Sequence, residues 1–179
     1  LTYNVKDEDL STREDAIVAN NVSIPYSNMT RTSYVYDSET KTYKRFVNDK
    51  EHTDYVTKEQ YTAKNIITYK VSNQTIKGDD KNRQELDTVG SGSGYYISNG
   101  YAVPIKWEKK DRKSQTVYTY MDGSEIDVND GNTYIQIQPK SKAPVATGKY
   151  NGTDITALTA EQIGGITQDQ FNKLAQADK

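Results

Sequence analysis

The stretch Tyr95-Tyr-Ile-Ser-Asn-Gly-Tyr-Ala-Val-Pro-Ile-Lys-Trp107 contains two runs rich in β-branched and aromatic residues, separated by Asn99-Gly100. Asn-Gly accepts the positive φ angles of a two-residue type I′ turn, so this pair marks a tight antiparallel hairpin. Asp122-Gly123 and Asp130-Gly131 separate further runs of the same kind. Residues 94–138 are therefore predicted to form a meander of about five strands.

The first half of the chain carries the same strand signals. Arg31–Asp37 and Thr42–Val47 are predicted strands that flank residues 38–41, which predicts a hairpin with a longer loop. Residues 15–24 and 65–76 are predicted to be two further strands.

The strand signals extend over most of the chain, and no segment before residue 150 has a helical period. Pro104 lies inside a predicted strand, which indicates an edge strand or a bulge because proline cannot donate to a neighbouring strand. We therefore predict a mainly β fold for residues 1–139, an antiparallel meander or a sandwich-like β domain.

The composition changes after this body. Residues 140–150 are predicted to be a linker because of their Pro, Gly, Ser and Ala content. Residues 151–179 contain an internal repeat in which Thr159 and Thr167 can each cap a short helix. Two such units are too small to fold alone, so the tail either docks on the β body or binds a partner or the cell wall.

The composition excludes several classes of function. The net charge is −2 with a pI near 5.5, so the chain lacks the basic face that nucleic-acid binding requires. It has no cysteine and one histidine, too few ligands for a zinc site, and we expect neither a metal nor a cofactor. No apolar run approaches the ~20 residues of a membrane span. The chain opens on Leu1 without Met, so we interpret it as part of a longer protein with a targeting segment upstream.

The single histidine, His52, has the acids Asp49 and Asp54 nearby and Arg45 seven positions upstream. The structural interpretation is that His52 links the end of the Thr42–Val47 strand to the adjoining loop, with Asp54 or Asp49 as its partner. The functional interpretation is that Arg45, His52 and Asp54 converge on a polar or anionic ligand. That arrangement requires the chain to fold back after the strand.

A glycine-rich stretch contains Gly90, Gly92 and Gly94, each separated from the next by one residue. A dinucleotide site needs a different glycine spacing followed by a helix, whereas a strand is predicted to follow here. A glycine-rich bulge or close-packed loop is the structural interpretation, and a backbone-amide anion site is the functional alternative.

Several short motifs occur in one order along residues 15–139. They are Ile24-Pro-Tyr26-Ser27, Tyr34-x-Tyr36-Asp37, Tyr43-x-Arg45-Phe46, His52-x-Asp54, Ala63-Lys64-Asn65-Ile66, Thr88-x-Gly90-x-Gly92-x-Gly94, Trp107-x-Lys109, Asp122-Gly123-x-x-Ile126 and Gly131-x-Thr133-x-Ile135. In this series the chain resembles the C-terminal domain of the YerB-like bacterial lipoprotein family. It departs from the family at Tyr134, where tryptophan is usual, and at Asp130, where proline is usual.

The resemblance implies an exported, lipid-anchored protein on the outer face of a bacterial cell membrane. It names no catalytic residue, because the family's biochemical function is not established. It singles out candidate ligand-binding positions, which are Arg45, His52, Asp54, Gly90, Gly92, Gly94 and Trp107.

The leading functional hypothesis is a non-catalytic binding or scaffolding domain, with an envelope protein or a cell-wall glycan as partner. Tyrosine-rich strands suit such contacts, since tyrosine has a rigid apolar face and a polar tip. The membrane would be reached only through an anchor outside this segment. The alternative is a cell-envelope hydrolase of glycan or peptide that uses an Asp/Glu pair, or shares its site with a missing N-terminal domain.

Overall fold

The computed structural model describes residues 1–142, 145–147, 149–150, 153–154 and 158–159. A 3₁₀ helix spans Leu10–Thr12. The strands are β1 Thr2–Tyr3, β2 Ile17–Val18, β3 Asn21–Pro25, β4 Arg31–Asp37, β5 Thr42–Val47, β6 Lys50–Glu51, β7 Thr62–Ala63, β8 Asn65–Thr75, β9 Gln84–Asp87, β10 Gly90–Ser98, β11 Tyr101–Lys109, β12 Val117–Tyr120, β13 Asp127–Val128, β14 Thr133–Pro139, β15 Val145–Thr147, β16 Lys149–Tyr150, β17 Thr153–Asp154 and β18 Leu158–Thr159. The mainly β, antiparallel fold class is confirmed. Among the described residues, no helix is long and apolar enough to cross a membrane.

The first sheet, sheet I, is built on the hairpin of β10 and β11. Its strand order is β12-β11-β10-β8-β14, and β2 and β9 pair with β11 and β8. Ser98 lies opposite Tyr101, and Asn99 and Gly100 take φ angles of 49° and 84°, as a type I′ turn requires. The hairpin predicted at Asn99-Gly100 is confirmed.

The predicted meander is confirmed as far as Asp122-Gly123, because β12 pairs antiparallel with β11 and Thr119 lies opposite Glu125, but its last strands pair differently. A turn does form at Asp122-Gly123, where the amide of Tyr120 donates to the carbonyl of Ser124 at 2.9 Å. The next strand, β13, nevertheless pairs in parallel with β1 from the N-terminus. Asp130-Gly131 is not a hairpin turn, because β14 runs parallel to β8 from Thr133 opposite Asn65. This parallel pairing joins segments far apart in the sequence, and the local turn signal does not report it.

The second sheet, sheet II, contains β18-β15-β3-β4-β5-β6, with β7 also paired to β5. The hairpin of β4 and β5 around residues 38–41 is confirmed. The predicted strand over residues 15–24 is divided, because β2 pairs with β11 in sheet I whereas β3 pairs with β4 in sheet II. The chain therefore crosses between the sheets at residues 19–20.

The predicted linker of residues 140–150 contains β15, whose backbone pairs with β3. In the predicted tail, Leu158–Thr159 pairs with β15 as strand β18. The remainder of the two predicted tail helices lies outside the described residues, and the domain boundaries at residues 139 and 150 stay a prediction.

Sheet I is covered on both faces where β8, β10 and β11 meet. Ile66, Ile97 and Ala102 join the core shared with sheet II, whereas their chain neighbours Ile67, Tyr96 and Val103 join a second core. Successive side chains of a strand point to opposite faces, so this division follows from the strand period. Leu10 and Ala16 of the N-terminal segment, both fully buried, help to close the second core.

Pro104 lies in β11, which has neighbours on both sides, so the strand is not an edge throughout. On the side away from β10, β2 pairs with Tyr101 and Ala102, and β12 pairs from Ile105 onward. Pro104 therefore lies in the gap between β2 and β12. The prediction of an edge is therefore correct at Pro104 itself. Its missing N–H costs no hydrogen bond there, because no strand pairs with it on that side.

Candidate functional site

The edge of β5 carries a short protruding hairpin whose base is Arg45. The amide of His52 donates to the carbonyl of Arg45 at 3.0 Å, and the amide of Arg45 donates to the carbonyl of Tyr61 at 2.9 Å. The chain therefore leaves the β5 edge at residue 52 and returns to it at residue 61. We call residues 52–61 the finger. The backbone of Arg45 fixes both of its ends.

The finger is held in shape by Asp54. One carboxylate oxygen of Asp54 accepts from the amides of Val56 and Thr57 at 2.8 and 2.9 Å, and the other accepts from the Tyr61 hydroxyl at 2.9 Å. The Thr57 amide, then the Tyr61 hydroxyl and the Val56 amide, lower the pKa of Asp54 below its usual range. The tip of the finger leaves Tyr55 87 % and Val56 83 % exposed.

At the base of the finger, Nη1 of Arg45 is hydrogen-bonded to Nδ1 of His52. Arginine only donates, so Nδ1 must accept, which makes His52 a neutral imidazole with its proton on Nε2. Burial, and then the charge of Arg45, lower the pKa of His52 in agreement with this state. The His52 ring also packs on Tyr61, with ring centroids 4.7 Å apart.

The sequence prediction for His52 is partly wrong. His52 does tie the end of β5 to the following segment, but through Arg45 rather than through a carboxylate. Asp49 is engaged by Arg31, and Asp54 holds the turn of the finger. The chain does fold back as the functional interpretation required, and it brings Arg45, His52 and Asp54 into one cluster linked through Tyr61.

Tyrosines from β4 and β14, and Tyr26 just after β3, lie near the Arg45 side chain. Its Nε donates to the Tyr34 hydroxyl at 3.3 Å, and its guanidinium carbon lies 5.0 Å from the centre of the Tyr134 ring. The hydroxyl of Tyr26 donates to the Gln136 side-chain carbonyl. Burial raises the pKa of Tyr26 to about 12 and that of Tyr34 further still, so both hydroxyls keep their protons.

Gly90, Gly92, Gly94 and Trp107 form a separate group on sheet I. The three glycines lie in β10, in register with β11, so the predicted bulge or loop is wrong. The predicted close packing is present, because a Cβ on Gly92 would lie 2.8 Å from Nε1 of Trp107. A Cβ on Gly94 would lie 2.4 Å from the carbonyl oxygen of Thr68. The amides of a paired strand do not converge on an anion, so this stretch offers no phosphate cradle.

Acidic residues concentrate in the N-terminal segment, beside an opening of about 350 Å³. Asp7 is paired with Nζ of Lys64 at 2.5 Å, Glu8 accepts from the Tyr120 hydroxyl at 2.6 Å, and Asp9 caps the 3₁₀ helix. Each carboxylate thus has a structural partner, and these contacts single out no pair for the hydrolase hypothesis. No group of three or more potential metal ligands is found in the described part of the chain.

Sequence reasoning missed the residues that complete the Arg45 cluster. Tyr61 and Tyr134 join it through long-range folding, and Tyr55 gains significance only because Asp54 closes a turn around it. The one available signal was the spacing Asp54-x-Val56-Thr57, which suits a carboxylate that accepts amides two and three residues ahead. Other Asp residues in turns share that spacing, so it could not mark this site.

Comparisons with known proteins place the chain in a family. A search of curated proteins finds no match. Among solved structures, the YerB protein from Bacillus subtilis is similar, with a TM-score of 0.59 and 22 % identity. The likeness covers 78 % of this chain and 44 % of the YerB chain, so this chain corresponds to less than half of that protein. Residues 22–135, more than half of the chain, match the C-terminal domain of a protein family of unknown function, DUF3048. The chain therefore belongs to this YerB-like family.

Proposed function

We propose that this β body is a non-catalytic binding or scaffolding domain of an exported cell-envelope protein, and that it contacts an envelope protein through the tip of the finger. The observation that carries the proposal is the pair Tyr55 and Val56, which are 87 % and 83 % exposed on a turn held by several hydrogen bonds.

Exposed apolar side chains are common on proteins, so exposure alone does not mark an interface. Here the backbone of the finger is anchored twice on Arg45, and Asp54 fixes the turn from inside. A rigid element loses little conformational freedom on binding, so more of its contact energy is available to the complex. Tyrosine is also enriched among the residues that dominate binding energy in interfaces.

The contacts around His52 and Asp54 support binding rather than chemistry. The Nδ1 atom of His52 is occupied by Arg45, and the carboxylate of Asp54 accepts from Tyr61 and two amides. A glycan partner would also suit a tyrosine surface, and the experiment below separates it from a protein.

The test compares capture from a solubilised envelope extract by the parent chain and by the double variant Tyr55→Ala/Val56→Ala. A matched control, Leu86→Ala/Val89→Ala, removes exposed apolar side chains from residues 72–89 of sheet I, which we call the β8–β9 arm. A shortened chain without residues 140–179 tests the tail separately.

The expected result is a protein that the parent, the control and the shortened chain retain, that the finger variant loses, and that binds again after purification. Capture that survives the finger variant would contradict the proposal. Recovery of only a protease-resistant glycan would replace the protein partner with a glycan.

The export and the lipid anchor form part of the same proposal and are supported by the likeness to the YerB-like family. Fractionation of cells that express the full-length protein tests them. We expect the protein in the membrane fraction and accessible to protease added outside the cell. A protein that stays protected inside intact cells would contradict this localisation.

A further inference from the structure

We propose that the Arg45 side chain, oriented by His52, forms a binding site for a carboxylate group at the base of the finger. This inference deepens the proposed binding function by naming the chemistry that one part of the surface recognises. Its first support is the charge balance around Arg45. Within residues 1–142, no carboxylate oxygen lies within 4.0 Å of a guanidinium nitrogen of Arg45.

The missing counter-charge distinguishes Arg45 from the neighbouring Arg31. Arg31 lies on the adjacent strand β4 and is paired with Asp49 through Nε and Nη2. Arg45 is half-buried among tyrosines, and within residues 1–142 its guanidinium contacts neutral partners, which are the Tyr34 hydroxyl, His52 Nδ1 and the Tyr134 ring. A partly buried cation without an anion is costly unless a ligand supplies one.

The second support is the supply of hydrogen-bond donors. Arg45 uses Nε and one Nη1 hydrogen in the contacts described above, and a guanidinium carries five N–H donors. His52 Nδ1 accepts one of these hydrogens and so holds the guanidinium in place, while Nη2 and the second Nη1 hydrogen are not used in these contacts. Arg45 therefore combines a positive charge with N–H donors for an anion.

The third support concerns the kind of anion. The planar fork of arginine matches the two oxygens of a carboxylate. Arg45 supplies one full positive charge, and the Asp54 carboxylate is close by as the acceptor of the Tyr61 hydroxyl, so the site suits one negative charge better than the two of a phosphate. The rings of Tyr61 and Tyr134 offer apolar surface to the carbon attached to the carboxylate.

The test uses NMR of the only histidine in the chain, together with the Arg45 Nε–H signal. The probes are acetate, inorganic phosphate, and acetamide as a neutral mimic of acetate. We expect saturable shifts of both signals with acetate, weaker shifts with phosphate and none with acetamide. The groups that face His52 are Arg45 and Tyr61, with Asp54 next to Tyr61, so bound acetate should also raise the pKa of His52.

Two variants and a control complete the design. Arg45→Gln should weaken acetate binding by about tenfold or more, since a charged hydrogen-bonding partner is lost. Arg45→Lys keeps the charge but loses the planar fork, and it should bind acetate with intermediate affinity. Arg31→Gln removes an arginine that already has a carboxylate partner, and it should bind like the parent.

Equal shifts with acetate and acetamide, tighter binding of phosphate than acetate, or unchanged binding by Arg45→Gln and Arg45→Lys would each overturn the proposal. N-acetylglycine and glucuronic acid then distinguish a peptide carboxylate from a sugar carboxylate as the source. No partner protein enters this test, and it leaves Tyr55 and Val56 intact, so its outcome is independent of the capture experiment.

Discussion

At the scale of single residues, Arg45 has a structural role and is the residue proposed to bind a ligand. Its backbone N–H and C=O fix the two ends of the finger, and its side chain orients His52 and faces the tyrosines. The motif with Arg45, His52 and Asp54 could be picked out from the sequence, but the partner of His52 could not. Carboxylates lie nearest to His52 in the sequence, whereas the strand pairing of β5 and β6 places Arg45 directly beside it.

Replacement of His52 by alanine tests this geometry through pH. The unfolded chain binds a proton on His52 more readily than the folded chain, because burial and Arg45 lower the folded pKa. Neutral His52 therefore stabilises the folded protein fully above the unfolded pKa of about 6.5. This stabilisation is lost as the pH falls through the lower pKa of the folded state. At pH 7 we expect His52→Ala to lose about 1 kcal/mol of unfolding free energy.

The difference in stability between the parent and His52→Ala should shrink as the pH falls from about 7 to 5. Urea unfolding followed by the fluorescence of Trp107, the only tryptophan, measures it. A difference that grows at low pH would show that His52 is protonated in the folded protein and does not accept from Arg45.

The glycines of β10 give a second residue-scale prediction. A methyl group on Gly94 would meet the backbone carbonyl of Thr68, which cannot move without shifting β8, so Gly94→Ala should cost about 1–3 kcal/mol. Gly92→Ala meets the Trp107 ring and should cost less. Ser93→Ala, between them and exposed, should stay within about 0.5 kcal/mol. Equal stability of all three variants in urea would contradict the close contact of Gly94 with Thr68 and of Gly92 with Trp107.

At the scale of elements, the success of sequence reasoning depended on the distance between paired strands. The β4–β5 and β10–β11 hairpins were predicted because each turn lies between its own strands. The pairing of β14 with β8 was missed because its partner is about 70 residues away, and a turn signal such as Asp130-Gly131 carries no information about it. The finger was missed because residues 52–61 lack the alternation of a buried strand.

The outer part of the finger, residues 54–59, should be removable without loss of the fold. Thr53 and Gln60 lie opposite each other across it, so Asn-Gly in place of residues 54–59 would close a two-residue turn between them. The contacts of Arg45 with His52 and Tyr61 remain, and we expect the unfolding free energy to change by about 1 kcal/mol or less. Near-ultraviolet circular dichroism and urea unfolding measure this. Loss of cooperative unfolding would mean that the finger supports the β body.

At the scale of the whole molecule, the N-terminal segment belongs to the folded body although it precedes the family match at residue 22. Leu10 is fully buried in the second core, Asp7 pairs with the buried Lys64, and β1 pairs with β13. The sequence predicted one β body over residues 1–139, but it gave no sign that this segment covers sheet I. The segment's few apolar residues have no period that identifies a packing partner.

The packing of Leu10 has a measurable consequence. Leu10→Ala leaves a cavity in a closed core and should cost about 2–5 kcal/mol of unfolding free energy. Leu86→Ala is the matched control, since Leu86 is 43 % exposed, and it should cost much less. Thermal unfolding of the two variants measures whether Leu10 contributes more to stability than Leu86. If both variants lose the same small amount of unfolding free energy, the N-terminal segment is not part of the core.

The most direct test of the account is site-specific crosslinking in living cells. The photoreactive residue benzoylphenylalanine is placed at Tyr55 in one variant and at Leu86 in another, each in the full-length protein. We predict a discrete crosslinked envelope protein from position 55 and none from position 86, because the finger is the proposed contact surface. A crosslink from position 86 with none from position 55 would contradict the account and move the binding surface to the β8–β9 arm.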